Sequence, residues 1–335
     1  MSYAAFRMCA PDAHPARETD VLARVAALWR EHARDFPRVT VGPGDDCAVL
    51  APAAHALPTL LKVDQVVEGR HFTRQTPLPL VARKALARAV SDIAAMAGTP
   101  VAALVSAVVP AWMHTDDVRV LVEALHDAGR LFACPIVGGD TAWADKRAPL
   151  VLSVTVLGEP ATPRGVVLRS TARVGDFVYL TGSVGGSFEP APSTEFAFPG
   201  GGRHLTFPPR VAEARELATL LGAALTAMMD TSDGLGLDAN RLARASGVRM
   251  DIDAGAIPLT RPGEEIARAL AEGEDYELLF TVAPGATVPA LLATGTRATR
   301  IGTVAAWSEG DHLVVLRGAD GTTKDISGLG FEHRA

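Results

Sequence analysis

The sequence predicts an α+β protein of two domains, an N-terminal mixed α/β unit followed by a C-terminal α/β sandwich. Three observations predict it. At 335 residues the chain is longer than one hydrophobic core usually serves. Segments of helical and strand periodicity interleave through about residue 158. The stretch Gly158-Glu159-Pro160-Ala161-Thr162-Pro163-Arg164-Gly165 then has linker chemistry, and a second interleaved set follows it. The expected divisions are a tail over 1–17, a first domain over 18–158 and a second over 165–335.

Residues 1–17 contain Arg7, Asp12, His14 and Arg17 but no long apolar core, which reads as a flexible tail and not a secretory signal. Glu18 to Phe36 predicts a helix with Val21, Leu22, Val25, Leu28 and Trp29 on one face. Residues 47–50 and 59–63 read as short strands joined by the turn-prone segment 52–56. Leu80 to Met96 predicts an alanine-rich helix stopped by Gly98 and Pro100. A buried strand over 101–109, a helix over 116–132 and strands over 133–137 and 150–157 complete the first half. The second half opens with a strand over 176–181 and the glycine turn Gly182-Ser183-Val184-Gly185-Gly186. Glu189 to Gly202, rich in Pro and Gly, predicts a mobile surface loop. Helices over 209–221 and 236–245 and strands near 249–253, 276–282, 298–304 and 312–317 follow.

Composition narrows the function. A formal net charge of −6 argues against a general nucleic-acid or anionic-membrane surface. The longest apolar stretch, Val101 to Met113, is interrupted by Ser106 and Pro110 and is too short to span a bilayer. Cys9, Cys47 and Cys134 form no CxxC or Cys/His cluster, which fits a reducing, cytoplasmic setting.

The chemistry lies in short acidic marks: Gly44-Asp45-Asp46, Val63-Asp64, Ser91-Asp92, Gly138-Gly139-Asp140 and Asp230-Thr231-Ser232-Asp233-Gly234. Most follow an apolar run, so each is expected at an element's end, on the rim of a sheet. Taken singly, each reads as a turn residue or helix cap. Gathered together, they would form an all-oxygen site for hard divalent cations, Mg²⁺ where phosphates are involved. No GxxxxGK[ST] sequence occurs, and the Gly182–Ser187 loop lacks its lysine. Phosphates would therefore be held by metal ions on carboxylates, helped by arginines and backbone amides. No GxSxG elbow or cysteine with a nearby His supports covalent catalysis. His71 is a candidate for substrate contact, with a structural role as its alternative.

The order of motifs carries a resemblance. Gly44-Asp45-Asp46 is followed by Asp64, Glu68-Gly69 and His71-Phe72, then by Lys84-Ala85-Leu86-Ala87 and Ser91-Asp92-Ile93-Ala94-Ala95-Met96. Gly138-Gly139-Asp140-Thr141, Leu168-Arg169-Ser170 and Gly175-Asp176 come next. Asp230, Ser232-Asp233-Gly234-Leu235, Ser246-Gly247-Val248 and Gly273-Glu274-Asp275-Tyr276-Glu277-Leu278-Leu279-Phe280 complete the set. This series, spread over 18–333, resembles the thiamine-monophosphate kinases. Their superfamily includes aminoimidazole-ribonucleotide synthetase and selenophosphate synthetase.

The resemblance implies direct in-line transfer of the ATP γ-phosphoryl group to thiamine monophosphate, giving thiamine diphosphate and ADP. No general base is demanded, because the nucleophile is already an anionic phosphate oxygen. The resemblance also implies several Mg²⁺ ions, and a homodimer whose N-terminal sheets pair with the active site between domains. Asp46, Asp64, Asp92, Asp140, Asp230 and Asp233 match metal-binding positions. Gly139, Asp140, Arg169 and Ser232 match ATP contacts, and His71, Glu274 and Phe331 match substrate contacts. Three positions depart from the family pattern. Lys62-Val63 replaces a Thr/Ser pair, Thr171 replaces a glycine, and Glu272 replaces a glycine beside the substrate edge. Strand alternation puts Lys62 on the face of Asp64, where its ammonium would replace part of a metal's charge or pair with Asp64. Thr171 and Glu272 keep another small acceptor open, and Lys62-Val63 keeps open a weakened nucleotide-binding paralogue.

Overall fold

The computed structural model describes residues 37–52, 58–188, 201–261, 263 and 265–332, with the single positions 27, 30 and 34. The expected tail over 1–17, most of the helix over 18–36 and most of the loop over 189–202 lie outside the described residues.

The first half consists of β1 (Val39–Val41), β2 (Ala48–Leu50), β3 (Thr59–Val67), α1 (Leu78–Ala95), β4 (Gly98–Pro110), α2 (Thr115–Leu131), β5 (Ile136–Ala144) and β6 (Val151–Pro160). The strands lie in the order β1-β2-β3-β6-β4-β5. Neighbours run antiparallel except β4 and β5, which are parallel and connected through α2. Parallel strands require such a crossover. Alternation sorts the β3 side chains by face. Leu60 and Val66 enter the core beneath α1, while Val63 on the other face is 61% exposed.

The second half consists of β7 (Phe177–Thr181), α3 (Val211–Leu221), β8 (Leu225–Asp230), α4 (Leu235–Ser246), β9 (Val248–Asp253), α5 (Ile266–Ala271), β10 (Leu278–Val282), β11 (Ala298–Ala306), β12 (Val314–Arg317) and β13 (Thr323–Asp325). Its sheet runs β13-β12-β9-β11-β7-β10-β8, antiparallel throughout except for the β9–β12 pair. Each face has its own core. Leu279 of β10 packs with Leu235 and Leu242 of α4, whereas the flanking Leu278 and Phe280 pack with Leu217 and Leu221 of α3. Helices on both faces of one sheet make the expected sandwich.

Helix α1 joins the halves. It packs on β3, β6 and α2 of its own domain and on α3 and β8 of the other. Covered from both sides, it is buried along most of its length, and Ala85, Ala87, Ala89 and Ala94 permit the close approach. Pro79 lies in its first turn, where a missing N–H costs nothing.

Several expectations need correction. Strand β5 does not end near Val137 but runs through Gly138-Gly139-Asp140 to Ala144, because the β4 ladder continues beside it. Strand β6 takes in Gly158, Glu159 and Pro160, so part of the expected linker pairs with the start of β4. The aspartates are not all at element ends. Asp64 and Asp140 lie inside strands and Asp92 inside α1, because the β3–β6 and β4–β5 ladders and the helix run on past the charge.

Gly139 is required by this packing. A Cβ there would overlap the Val105 carbonyl of β4. Gly139→Ala should therefore lower unfolding stability by about 1–3 kcal/mol, as overpacking does, in denaturant titration. A change below about 0.5 kcal/mol would show that β5 is free to move aside.

Candidate active site

Three carboxylates from distant parts of the chain converge where the two halves meet. Asp46 lies between β1 and β2, Asp92 in the last turn of α1, and Asp230 at the end of β8. One oxygen from each lies within 4.8 Å of the others, and all three residues are buried. Such a cluster is costly without compensation, and each member has one partner. Arg169 donates to Asp46 Oδ1 at 2.5 Å, Lys62 Nζ to Asp92 Oδ1 at 2.9 Å, and Ser91 Oγ to Asp230 Oδ2 at 2.5 Å. Burial, and then the charge of Asp46, pushes the Asp230 carboxyl up to about 6. Burial also pushes Asp92 above the usual range, against the pull of Lys62. Burial opposes the Lys62 ammonium in turn, yet Asp92 and then Asp64 hold its pKa above that of an ordinary lysine.

Asp92 also sits at the wrong end of a helix for a carboxylate. The macrodipole disfavours negative charge in a last turn, and α1 has no basic residue there. A buried acid in that position, answered by a lysine from another strand, is poor design for stability alone. Asp46 Oδ2 is buried with no hydrogen-bond partner among the described residues. An all-oxygen donor set with one open buried oxygen fits a hard divalent cation.

A second charged cluster flanks the first. Asp64 shares the β3 face of Lys62 but pairs with Arg88, at 3.2 Å from Nε and 3.3 Å from Nη2. Arg88 Nη1 reaches Glu274 Oε1 at 3.1 Å. The expected alternative of a Lys62–Asp64 bridge thus gives way to Lys62–Asp92 and Arg88–Asp64. Glu274 also takes an ion pair from Lys84, whose side chain is 0% exposed. Lys84 Nζ further contacts the His71 carbonyl at 2.7 Å and His204 Nδ1 at 2.8 Å. Burial pulls the Lys84 ammonium down to about 8. Burial would raise Glu274, but Lys84, His204 and Arg88 hold it well below the usual range. The His71 ring is buried, its Nδ1 accepts the Val67 N–H at 3.0 Å, and burial followed by the Arg88 charge lowers its pKa to about 3. It is a neutral imidazole at any ordinary pH.

Glu274 and Tyr276 both adopt positive φ, at 56° and 53°. Non-glycine residues in this region cost of order 1–3 kcal/mol and collect at functional sites. The strained turn is tied to the segment just after β8 by Glu274 N–H to Ser232 O and Tyr276 N–H to Thr231 O, both 2.7 Å. Ser232 thereby stands beside Glu274.

The remaining candidates lie apart. Asp233 pairs with Arg241, and its carbonyl accepts the Phe331 N–H at 2.7 Å, which seats Phe331 on the same turn. Gly139 and Asp140 lie on exposed β5, and the ladder sets Asp140 beside Ser106 of β4. Ser106 belongs to the face opposite α1, so within one chain Asp140 is separated from the triad by the sheet.

Residues 44–159 match the AIR synthase related protein N-terminal domain, and residues 173–315 match its C-terminal domain. The thiamine-monophosphate kinase of Rhodopirellula baltica is 33% identical over 295 residues, covering 83% of this chain and 87% of that one. The chain belongs to the thiamine-monophosphate kinase family. The Bacillus subtilis member is 35% identical over 73% of this chain and 78% of its own length. A solved structure of AaThiL complexed with AMPPCP and TMP aligns over 98% of this chain and 100% of that one, with a TM-score of 0.75 and 27% identity. The hydrogenase maturation protein HypE of E. coli, at 17% identity and a TM-score of 0.60 over 80% of this chain and 84% of that one, shares the fold.

For this thiamine-monophosphate kinase relative, the other two departures have structural explanations. Glu272 is not a loose carboxylate at a substrate edge. It accepts the Gly186 and Phe188 N–H groups at 3.0 and 3.3 Å and pins the glycine turn. Thr171 Oγ1 donates to Thr226 O at 2.5 Å, tying the Arg169 segment to β8. Sequence reasoning missed roles for Ser91, Lys84, Arg88 and His204. Lys84 and Arg88 had one available signal, since a charged residue within an alanine-rich helical run must find a partner or face water.

Lys84 yields a stability prediction. Lys84→Met should cost about 3–5 kcal/mol in denaturant unfolding, because it leaves Glu274 buried with less compensation. Adding Glu274→Gln should recover part of that loss. A double variant no more stable than Lys84→Met would mean the two residues are not coupled.

Proposed function

We propose that this protein transfers the γ-phosphoryl group of ATP directly to the phosphate of thiamine monophosphate, releasing thiamine diphosphate and ADP. The observation that carries this reading is the Asp46–Asp92–Asp230 cluster, buried where two domains meet in a chain related to thiamine-monophosphate kinases along most of its length. That the AaThiL structure holds AMPPCP and TMP supports ATP and thiamine monophosphate as substrates here.

In this reading the Asp46–Asp92–Asp230 cluster would hold Mg²⁺, chiefly through Asp46 and Asp230, with Asp64 and Asp233 as further ligands once Arg88 and Arg241 yield. Bound Mg²⁺ supplies charge neutralisation between the two polyphosphates. Arg169, already aimed at Asp46, adds a fixed cation for the ATP phosphates, and Ser232 a hydroxyl. Glu274, held by Lys84 and Arg88, is assigned to the edge of the thiamine monophosphate site, and Phe331 offers an aromatic surface to its positive ring. His71, neutral and held by Val67, can contact substrate but cannot act as a charged acid. The acceptor oxygen is already anionic, so positioning and charge cancellation are the work of the site. Division near 158–165 lets the first domain supply Asp46, Asp64 and Asp92 and the second Asp230, Glu274 and Phe331.

The same reading includes a homodimer. The face of the first sheet opposite α1 carries Val63, Leu104 and Leu157, at 61%, 48% and 39% exposure, in strands that lie side by side. An apolar sheet face of this kind calls for cover, and a second copy offers an identical apolar face. Gly139 and Asp140 belong to this sheet, so a role for them at ATP would require the partner chain.

Two experiments test the proposal. Purified protein with ATP, Mg²⁺ and thiamine monophosphate should form equal amounts of thiamine diphosphate and ADP. ADP release only with a different acceptor, or nucleotide binding without turnover, would overturn the thiamine assignment. Light scattering should give twice the chain mass for the wild type and the single mass for Leu104→Arg. A monomeric wild type would contradict the dimer.

A further inference from the structure

Lys62 has no role in the reaction as described, yet it is built into the carboxylate cluster. Its position on β3 aims it toward α1, and its Nζ donates to Asp92 Oδ1 at 2.9 Å. Arg169 holds Asp46, and the neutral Ser91 hydroxyl holds Asp230. Arg169 also faces Asp45, at 3.6 Å from Nε, so four carboxylates face two resident cations and the cluster is short of positive charge. Within the triad, Asp46 Oδ2 is left buried without a hydrogen-bond partner among the described residues. A divalent ion entering there reaches Asp46 and Asp230 without displacing Lys62. A second ion, directed at Asp92, would meet an ammonium already in place, and the repulsion between them is strong in a partly buried site.

We propose that Lys62 is a resident counter-ion that sets the metal stoichiometry of the site, holding the Asp92 edge so that the triad takes one divalent ion. Lys62 acts by fixing charge and position at Asp92 and does not itself touch the reacting atoms. The inference rests on the kinase reading only in taking the triad as the metal site. A plain structural ion pair would leave the number of bound ions unchanged when Lys62 is replaced.

The test counts Mn²⁺ bound per chain, from the loss of the free-ion EPR signal, in the full-length protein without nucleotide. Lys62→Thr should bind about one more Mn²⁺ than wild type, as expected when an open carboxylate edge admits a second hard cation. Lys62→Arg should keep the wild-type count, and Lys62→Thr combined with Asp92→Asn should return to it. Equal counts in wild type and Lys62→Thr overturn the inference. If Lys62→Thr is too unstable to titrate at ambient temperature, its thermal unfolding in Mn²⁺ answers the same question. The Mn²⁺-induced rise in Tm should exceed that of wild type, and an equal rise overturns the inference. Neither readout uses thiamine monophosphate. A failed kinase assay therefore leaves the count interpretable, while normal turnover with equal counts removes only the role of Lys62.

Discussion

Like charges held together in a dry place must be answered by something, and in this chain that constraint governs the join between the domains. Asp46, Asp92 and Asp230 come from a loop, a helix and a strand end, and their oxygens lie within 4.8 Å of one another. Burial alone makes each carboxylate unfavourable in its ionised form, and proximity adds to the cost. Lys62, Arg169 and Ser91 offset part of it, each from a different element. The second domain cannot shift against α1 without separating Ser91 from Asp230. The electrostatics of the cluster and the packing of the domains are therefore one problem.

Helix α1 meets this demand from both of its sides. Its alanines let two layers approach, and the same helix carries Lys84, Arg88, Ser91 and Asp92. Lys84 and Arg88 cross to Glu274, and Arg88 also reaches Asp64. A candidate metal ligand on β3 and a candidate substrate contact on a strained turn are thus linked through one guanidinium. Opposite α1 the first sheet carries exposed apolar residues and, among the described residues, no comparable charge network, so its two faces divide into site and surface.

Much of this was legible in the sequence, for physical reasons that can be named. Long periodic segments gave α1, α2, α3 and α4 to within about two residues, since amphipathic or alanine-rich runs with clear stops leave little choice. Six-residue α5 and the three-residue β1 and β13 gave no usable period. The strand expected over 133–137 proved longer because Gly138-Gly139 continues it, Gly139 answering close packing on β4. At the site, the ordered acidic motifs picked out Asp46, Asp92 and Asp230, but order along a chain does not say which charges touch. Alternation correctly put Lys62 on the face of Asp64, yet only the fold shows that Arg88 takes Asp64 and leaves Lys62 to Asp92. Asp140 illustrates the same limit, since one residue of strand parity decides whether a carboxylate faces α1 or the opposite side.

In the proposed reading the triad is the metal-binding heart of a phosphoryl-transfer site. Its most direct test is anomalous diffraction at the manganese edge, from crystals grown with Mn²⁺ and a non-hydrolysable ATP analogue. A manganese peak bounded by Asp46 and Asp230 is expected, with the analogue's phosphates beside it and Arg169 turned toward them. Manganese peaks only at surface carboxylates, with Asp46 and Asp230 still closed on Arg169 and Ser91, would exclude that role.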